Sequence, residues 1–508
     1  MDERKNRPIS DEQFDIMLQS GLPELPPEDV VQEVTPWHKA IYRALIGIAF
    51  NTFTLNFLCL NYILPAIASI LSLLGFRSLR WENRWFRACY GITLVRSLFF
   101  FVQIILNASI YQSEYYASGI SNVLTAVSLV LLFLLFFCLW RAFIAVRRKA
   151  GLPGGAPGAL WLMLWYFVIL IMASVHYTGL ILPIVMLISY VLMIRNLLKL
   201  ARELDEAGFA IHAAPVRLSD RALTWLILAV LAVGIGCAHL FSGAYPMDWQ
   251  PEKTQDSAEI SRVKEELLSL GFPENVLNDL REEDILACDG ALQVVWEVQD
   301  HPVNEGRYLT TQEGTVSYTT TVFDVQELRI TGVAVELPGE RESWKLFHHF
   351  QWVVDPGFTG TECIQLWPTW QNNEGWDAYG ELTGRLLYDR DGQTFTAPYA
   401  FLGSRSYTSD SLFWGEQSST DIFAAFSLPD SGENHRGYVS YTVDEAQDGY
   451  IINSWCNYTH QTSALQYPAR TAMDVRMEGG VSNRSWAFVT VQDALQFYPR
   501  HGSPELIG

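Results

Sequence analysis

Residues 222–242, ALTWLILAVLAVGIGCAHLFS, constrain this chain more than any other stretch, because they contain no Asp, Glu, Lys or Arg. At about 1.5 Å per helical residue the run crosses a hydrocarbon core about 30 Å thick. In such a solvent the backbone must satisfy its own hydrogen bonds, so the run is read as a transmembrane helix. Everything before it repeats the pattern. Residues 88–108 and 120–140 are single apolar spans, and 158–194 is too long for one helix and breaks around His176 to Gly179. Residues 41–76 are about as long, with Asn56 and Asn61 near the middle. Reading both long stretches as hairpins predicts a bundle of seven spans. The alternative is six, with residues 41–54 lying in the interface.

Basic residues test the count. The loop after Phe76 carries Arg77, Arg80, Arg84 and Arg87; the loop after Trp140 carries Arg141, Arg147, Arg148 and Lys149. The loop after Ile194 carries Arg195, Lys199, Arg202, Arg217 and Arg221. The alternate loops, 110–119 and 176–179, carry no Lys or Arg. By the positive-inside rule the first set is cytoplasmic, and the last span delivers residue 243 onward to the outside. Seven spans place the N-terminus in the cytoplasm, with Lys39 and Arg43 at the membrane edge, whereas six place it outside.

The net charge of −20 and mean hydropathy of +0.11 average two unlike halves. Residues 243–508 hold 16 Lys and Arg against 40 Asp and Glu, whereas residues 1–242 hold 19 against 15. A region so acidic repels nucleic acid and anionic headgroups, which excludes DNA or RNA as partners. Of the seven cysteines only Cys288, Cys363 and Cys456 fall in that region, far apart and odd in number, so they make no disulfide framework or CxxC metal pair; one bridge among them stays open, and nothing in the sequence selects it.

The division by residue number follows. Residues 1–38, with LPELPPEDV at 22–30, predict an irregular acidic tail without the pattern of a removable signal peptide. Residues 39–243 are the bundle and 244–290 a linker and helical neck. In the neck, Ile260, Val263, Leu267 and Leu270 share one face of a helix that Gly271 stops. Residues 291–508 form a mostly β domain, because the apolar period changes to two. Strands are predicted over 291–298, 315–321, 325–337, 344–354, 363–367, 382–388, 394–399, 421–428, 437–443 and 450–458. Turn sequences such as DRDGQ (389–393) and DSGENHRG (430–437) separate them. Many short strands with regular turns imply a β-sandwich or jelly roll. Residues 490–497 are expected to close the chain as a helix, with Thr490 and Asp493 as an acidic capping box.

The run LNYILPAIASILSLLGFRSLRWENRWFRACY (60–90) resembles the start of a group of uncharacterised multi-pass membrane proteins of Gram-positive (Firmicutes-type) bacteria. FHHFQWVVDPGF (347–358) is similar to a later part of the same group. The resemblance implies a bacterial membrane setting and no particular activity.

Candidate chemistry is sparse. Arg96 lies about eight residues inside the span 88–108, where an intramembrane charge needs a structural or anion-binding reason, and no span supplies an acidic partner. The same lack of carboxylates disfavours proton- or cation-coupled transport. In WKLFHHFQW, alternation puts Trp344, Leu346, His348, Phe350 and Trp352 on one face. That makes His348 a buried core histidine and His349 the more exposed of the two. Trp367, Trp370 and Trp376 cluster in LWPTWQNNEGW, which is either core or a platform for stacking on a ligand, sugar rings included. The sequence contains no HExxH, GxSxG, CxxC pair, P-loop, or GxGxxG after a strand, so no metal or cofactor is expected.

The reading that follows is a membrane protein displaying an extracytoplasmic β domain that binds a ligand, polymer or partner without catalysis. Its expected partners are the lipid bilayer, an extracellular glycan or protein ligand, and a second membrane protein. The alternatives are an envelope hydrolase using Asp and Glu side chains, and a transporter or channel-associated subunit.

Overall fold

The structure is a computed structural model. It describes residues 34–499 and 505–506, apart from 53–56, 58, 154, 176, 178, 180, 213–216, 253–256, 314–315, 368–374, 412–414, 479–483 and 486. The expected tail lies outside the described residues up to residue 33. Val34–Pro36 then pairs antiparallel with Ala210–His212, and Trp37 opens a helix. The chain divides into two units, one of residues 1–105 and 115–235, the other of Leu106–Glu114 and Gly236–Gly508.

In the first unit the long apolar stretches become helices. Six of the described helices are long and apolar enough to cross a membrane: Leu60–Leu79, Arg84–Leu106, Gly119–Lys149, Pro157–Ser174, Ile181–Glu206 and Asp220–Phe241. The 158–194 stretch breaks where expected, between Ser174 and Ile181. The 41–76 stretch divides into the 14-residue helix Trp37–Phe50 and the 20-residue helix Leu60–Leu79, the first shorter than a full crossing requires. Of the last helix, Asp220–Phe241, only Leu231 is buried, so an otherwise apolar surface faces outward, as a lipid-solvated helix requires.

Small residues bring the first two helices together. Trp37, Ala40, Ile41, Ala44, Leu45 and Ile48 form one buried stripe on Trp37–Phe50. A Cβ on Gly75 would lie 2.5 Å from Ala44 N, and one on Gly47 would lie 2.6 Å from Ala68 O. The pairing of Gly47 with Ala68 and of Gly75 with Ala44 makes the two helices an antiparallel hairpin with touching backbones. At one end of this unit the arginine-rich segments are tied by ion pairs. Arg43 and Arg77 share Asp220 at 2.6 and 3.6 Å, Arg147 meets Glu203 at 2.7 Å, and Lys149 meets Glu82 at 2.5 Å.

In the second unit, alternating apolar residues build two seven-stranded antiparallel sheets. The first runs Gln250–Pro251, Gln393–Ala397, Trp376–Arg390, Glu433–Glu445, Ser343–Trp352, Leu328–Leu337, Gln293–His301. The second runs Phe401–Ser411, Gly415–Phe426, Glu362–Trp367, Ile452–Gln461, Phe488–Tyr498, Arg484–Ser485, with Glu505–Leu506 added beside Phe488–Tyr498. Trp344, Leu346, Phe350 and Trp352 of one sheet pack against Ile364, Leu366, Phe426 and Tyr458 of the other, which is a sandwich core. DRDGQ forms the expected hairpin turn, with Asp391 and Gly392 at φ 54° and 76°, the positive values a two-residue type I′ turn requires.

The neck folds as three short helices, Ala258–Ser269, Glu274–Asp279 and Glu282–Leu286. Ser257 caps the first, and Gly271 stops it at φ 90°. Ile260, Val263, Leu267 and Val276 cover Val333, Val335 and Phe347 on the outer face of the first sheet.

One expectation is overturned. Residues 490–497 are not a helix but part of the strand Phe488–Tyr498. Val489, Val491, Leu495 and Phe497 all face the core, so a period of two outweighs the Thr-x-x-Asp spacing. The capping box with that spacing sits earlier, at Thr471 and Asp474, on the helix Ala472–Met477. Strands Arg307–Glu313 and Phe401–Ser411 were not anticipated.

Candidate functional site

The tryptophans of LWPTWQNNEGW do not form one described platform. Trp376 is 3% exposed and belongs to the sandwich core, its Nε1 donating to Tyr450 O at 3.3 Å. Trp367 is half-buried; its Nε1 donates to Asp421 Oδ2 at 2.9 Å, and its ring lies 6.3 Å from that of Trp455. Trp370 lies outside the described residues. Asp421 Oδ2 also accepts from Gln365 Nε2 at 2.6 Å and from the Tyr407 hydroxyl at 2.6 Å, so this carboxylate organises the outer face of the second sheet.

The two histidines separate by face, as alternation requires. His348 is 2% exposed between the sheets, with Nε2 2.6 Å from Ser454 Oγ. Burial, against the weaker pull of Asp493, lowers its pKa to about 4. His349 is a correction: it is 1% exposed, because the neck helices cover its face of the sheet. Its Nε2 lies 2.8 Å from Asp279 Oδ2, and Arg436 Nε donates to Asp279 Oδ1 at 2.8 Å. Burial pushes the Asp279 carboxyl up, but the His349 hydrogen bond and charge, with Arg436, outweigh it and hold the group below the usual carboxylate range. Beside it Asp284 accepts from the Tyr438 hydroxyl at 2.5 Å and pairs with Lys345 at 3.1 Å. This buried polar layer fastens the neck to the sheet.

Other polar groups are equally enclosed. Glu362 Oε1 lies 2.7 Å from His460 Nδ1, and burial raises the Glu362 carboxyl despite that contact. Cys288, Cys363 and Cys456 are buried free thiols, and burial pushes Cys288 up to about 12, far from a reactive thiolate. Among the described residues no three His, Cys, Asp or Glu side chains converge as metal ligands would.

Two concave sites with polar lining stand out among the described residues. In the β unit a cleft of about 700 Å³ opens where the chain enters the sandwich, lined by Tyr245, Trp249, Phe358, Asp430 and Gln461. Trp249 is half-buried and stands edge-on to Tyr388 at 4.9 Å; Phe358 is half-buried as well. In the helical unit a cavity of about 230 Å³ reaches Arg96 and is lined by serine, threonine and glutamine side chains. Neither site is among those singled out from sequence except through Arg96. Comparison with known proteins finds no match, either to a family model or to a curated relative. The functional reading therefore rests on these two sites and on the surfaces that frame them.

Proposed function

We propose that this chain is a multi-pass membrane protein that displays its acidic β-sandwich outside the cytoplasm and binds a ligand there without catalysis. The observation that carries the reading is the cleft of about 700 Å³ in the sandwich. Its volume suits a small ligand or a few units of a polymer, and it joins half-buried aromatic faces to the exposed carboxylate of Asp430. Aromatic rings stack on the apolar faces of sugar rings, while the exposed Asp430 carboxylate accepts from hydroxyl groups, so a glycan is the class that fits best.

Two further observations support the sidedness. Residues Leu106–Glu114, part of the connection without Lys or Arg, fold with the β unit: Ala469 N donates to Asn107 O at 2.7 Å, and Ile110 N donates to Ser242 O at 2.9 Å. The arginine-rich segments are tied by ion pairs within the helical unit. Val34–Pro36 pairs with Ala210–His212 in that unit, so the start of the first helix lies with the arginine-rich connection before residue 220. A cytoplasmic N-terminus and seven crossings, with the helix Trp37–Phe50 in the first, accommodate all of this.

The test is a glycan array and a thermal-shift screen of the full-length protein in detergent, alongside Trp249→Ala and Phe358→Ala. The reading expects a glycan that raises the melting temperature of the wild type and loses its effect in both folded variants. Hydrolysis of a glycan by the wild type would replace binding with catalysis and overturn it.

A further inference from the structure

Arg96 stands twelve residues after the start of the helix Arg84–Leu106 and ten before its end. That is about 18 Å and 15 Å along the axis, more than an arginine side chain spans, so it does not reach either end of the helix. A charge at such a depth is costly unless something compensates it. Among the described residues Arg96 has no hydrogen-bond or ion-pair partner, and no Asp or Glu lines its cavity. Among the described residues nothing supplies the compensating charge.

The cavity around Arg96 combines neutral hydrogen-bonding groups with apolar side chains such as Phe99, Leu132 and Phe136. Thr93, Arg96 and Ser97 share one face of their helix at spacings of three and four, and Ser69 and Ser72 face them from Leu60–Leu79. Thr93 is 5% exposed, and its Oγ1 has no hydrogen-bond partner. A buried hydroxyl left unpaired is destabilising, and buried polar groups without partners mark a missing ligand or water. We propose that the cavity is an anion site that takes a phosphate-type oxyanion, either a free ion or the headgroup of an anionic lipid. The guanidinium forks onto two oxygens, and the hydroxyls of Thr93, Ser97 and Ser72 donate to the remainder. The volume of about 230 Å³ holds a phosphate group with several waters, each of which occupies about 30 Å³ in the liquid. This site is separate from the ligand cleft of the sandwich, and the inference does not depend on that reading.

The experiment uses full-length protein in detergent. Sodium phosphate is titrated calorimetrically against sodium chloride of equal ionic strength. The same preparation is examined by native mass spectrometry after exposure to vesicles of phosphatidylglycerol or phosphatidylcholine. Arg96→Gln and Thr93→Val are compared with the wild type, with Arg96→Lys retaining the charge. Phosphate binding that weakens at least about 10-fold in Arg96→Gln, and less in Thr93→Val, assigns a free oxyanion. Retention of phosphatidylglycerol over phosphatidylcholine that depends on Arg96, without phosphate binding, assigns a headgroup. If Arg96→Gln does not fold, the same ranking is read from Arg96→Lys and Thr93→Val. Absence of both ligands from the wild type, or binding equal in the wild type and every folded variant, overturns the proposal.

Discussion

His349 Nε2 lies 2.8 Å from Asp279 Oδ2, and this contact joins the helical neck to the outer face of the first sheet. Arg436 holds the other carboxylate oxygen at 2.8 Å and bridges to Asp389 at 3.1 Å. The neck is therefore fixed both by its apolar stripe and by a largely buried charged group.

Asp279→Asn tests the contact. Removing one partner of a buried ionic network costs about 3 kcal/mol, because Arg436 keeps its charge with less to compensate it. Urea unfolding of the sandwich, followed by tryptophan fluorescence, should show that loss. The pH dependence follows from the depressed carboxyl of Asp279. Its stabilisation is present above the unfolded value of about 3.9 and disappears as pH falls through the lower folded value. The Asn variant should lack that acid-side component.

His348 titrates in a different window. Folded, its pKa is about 4; unfolded, it takes the ordinary value of 6.5. Between those values the unfolded chain binds a proton that the folded chain refuses, so stability falls as pH drops from 6.5 to 4. The full effect is about 3 kcal/mol, at 1.36 kcal/mol per pKa unit. Melting temperatures measured from pH 7 to pH 4 should decline less steeply for His348→Gln than for the wild type.

The helix hairpin of the membrane unit predicts a steric failure. Gly75→Val places methyl groups where Ala44 N already stands 2.5 Å from an added Cβ, and the neighbouring atom is backbone. Overpacking of this kind costs about 1–3 kcal/mol or more. Size-exclusion chromatography in detergent should show a lower yield of folded protein for Gly75→Val. Gly91→Val, where an added Cβ meets nothing within 4 Å, should leave the yield unchanged.

Trp376 and Trp367 separate a core residue from a partly accessible one. Trp376→Ala leaves a cavity in the sandwich core and should cost about 3–5 kcal/mol. Trp367→Ala removes a half-buried ring and one hydrogen bond to Asp421, and should cost less. Denaturant midpoints of the two variants give the ranking directly.

How much was legible in the sequence depended on which physical signal dominated. The long apolar helices follow from uninterrupted apolar length and most strands from a period of two, and His348 lies in the core because strand alternation is strict. Its neighbour His349 is buried against that expectation, since alternation gives the face of a sheet and not what covers that face; the neck comes from sequence about seventy residues earlier. Thr490 and Asp493 mimic a helix cap, yet the surrounding Val489, Val491, Leu495 and Phe497 carry the stronger period of two. Around Arg96 a partial signal was present. Thr93 and Ser97 stand at helical spacing beside it, but the serines of Leu60–Leu79 join them only through tertiary packing.

The most direct test of the account is the side on which the sandwich stands. With exposed Cys59 and Cys237 changed to Ser, single cysteines are placed at Asp391, in a hairpin turn of the sandwich with its side chain 93% exposed, and at exposed Arg148. Intact cells are then treated with a membrane-impermeant maleimide. The account predicts that Asp391→Cys is labelled at once and Arg148→Cys only after permeabilisation. Labelling of Arg148→Cys from outside, with Asp391→Cys protected, would contradict it.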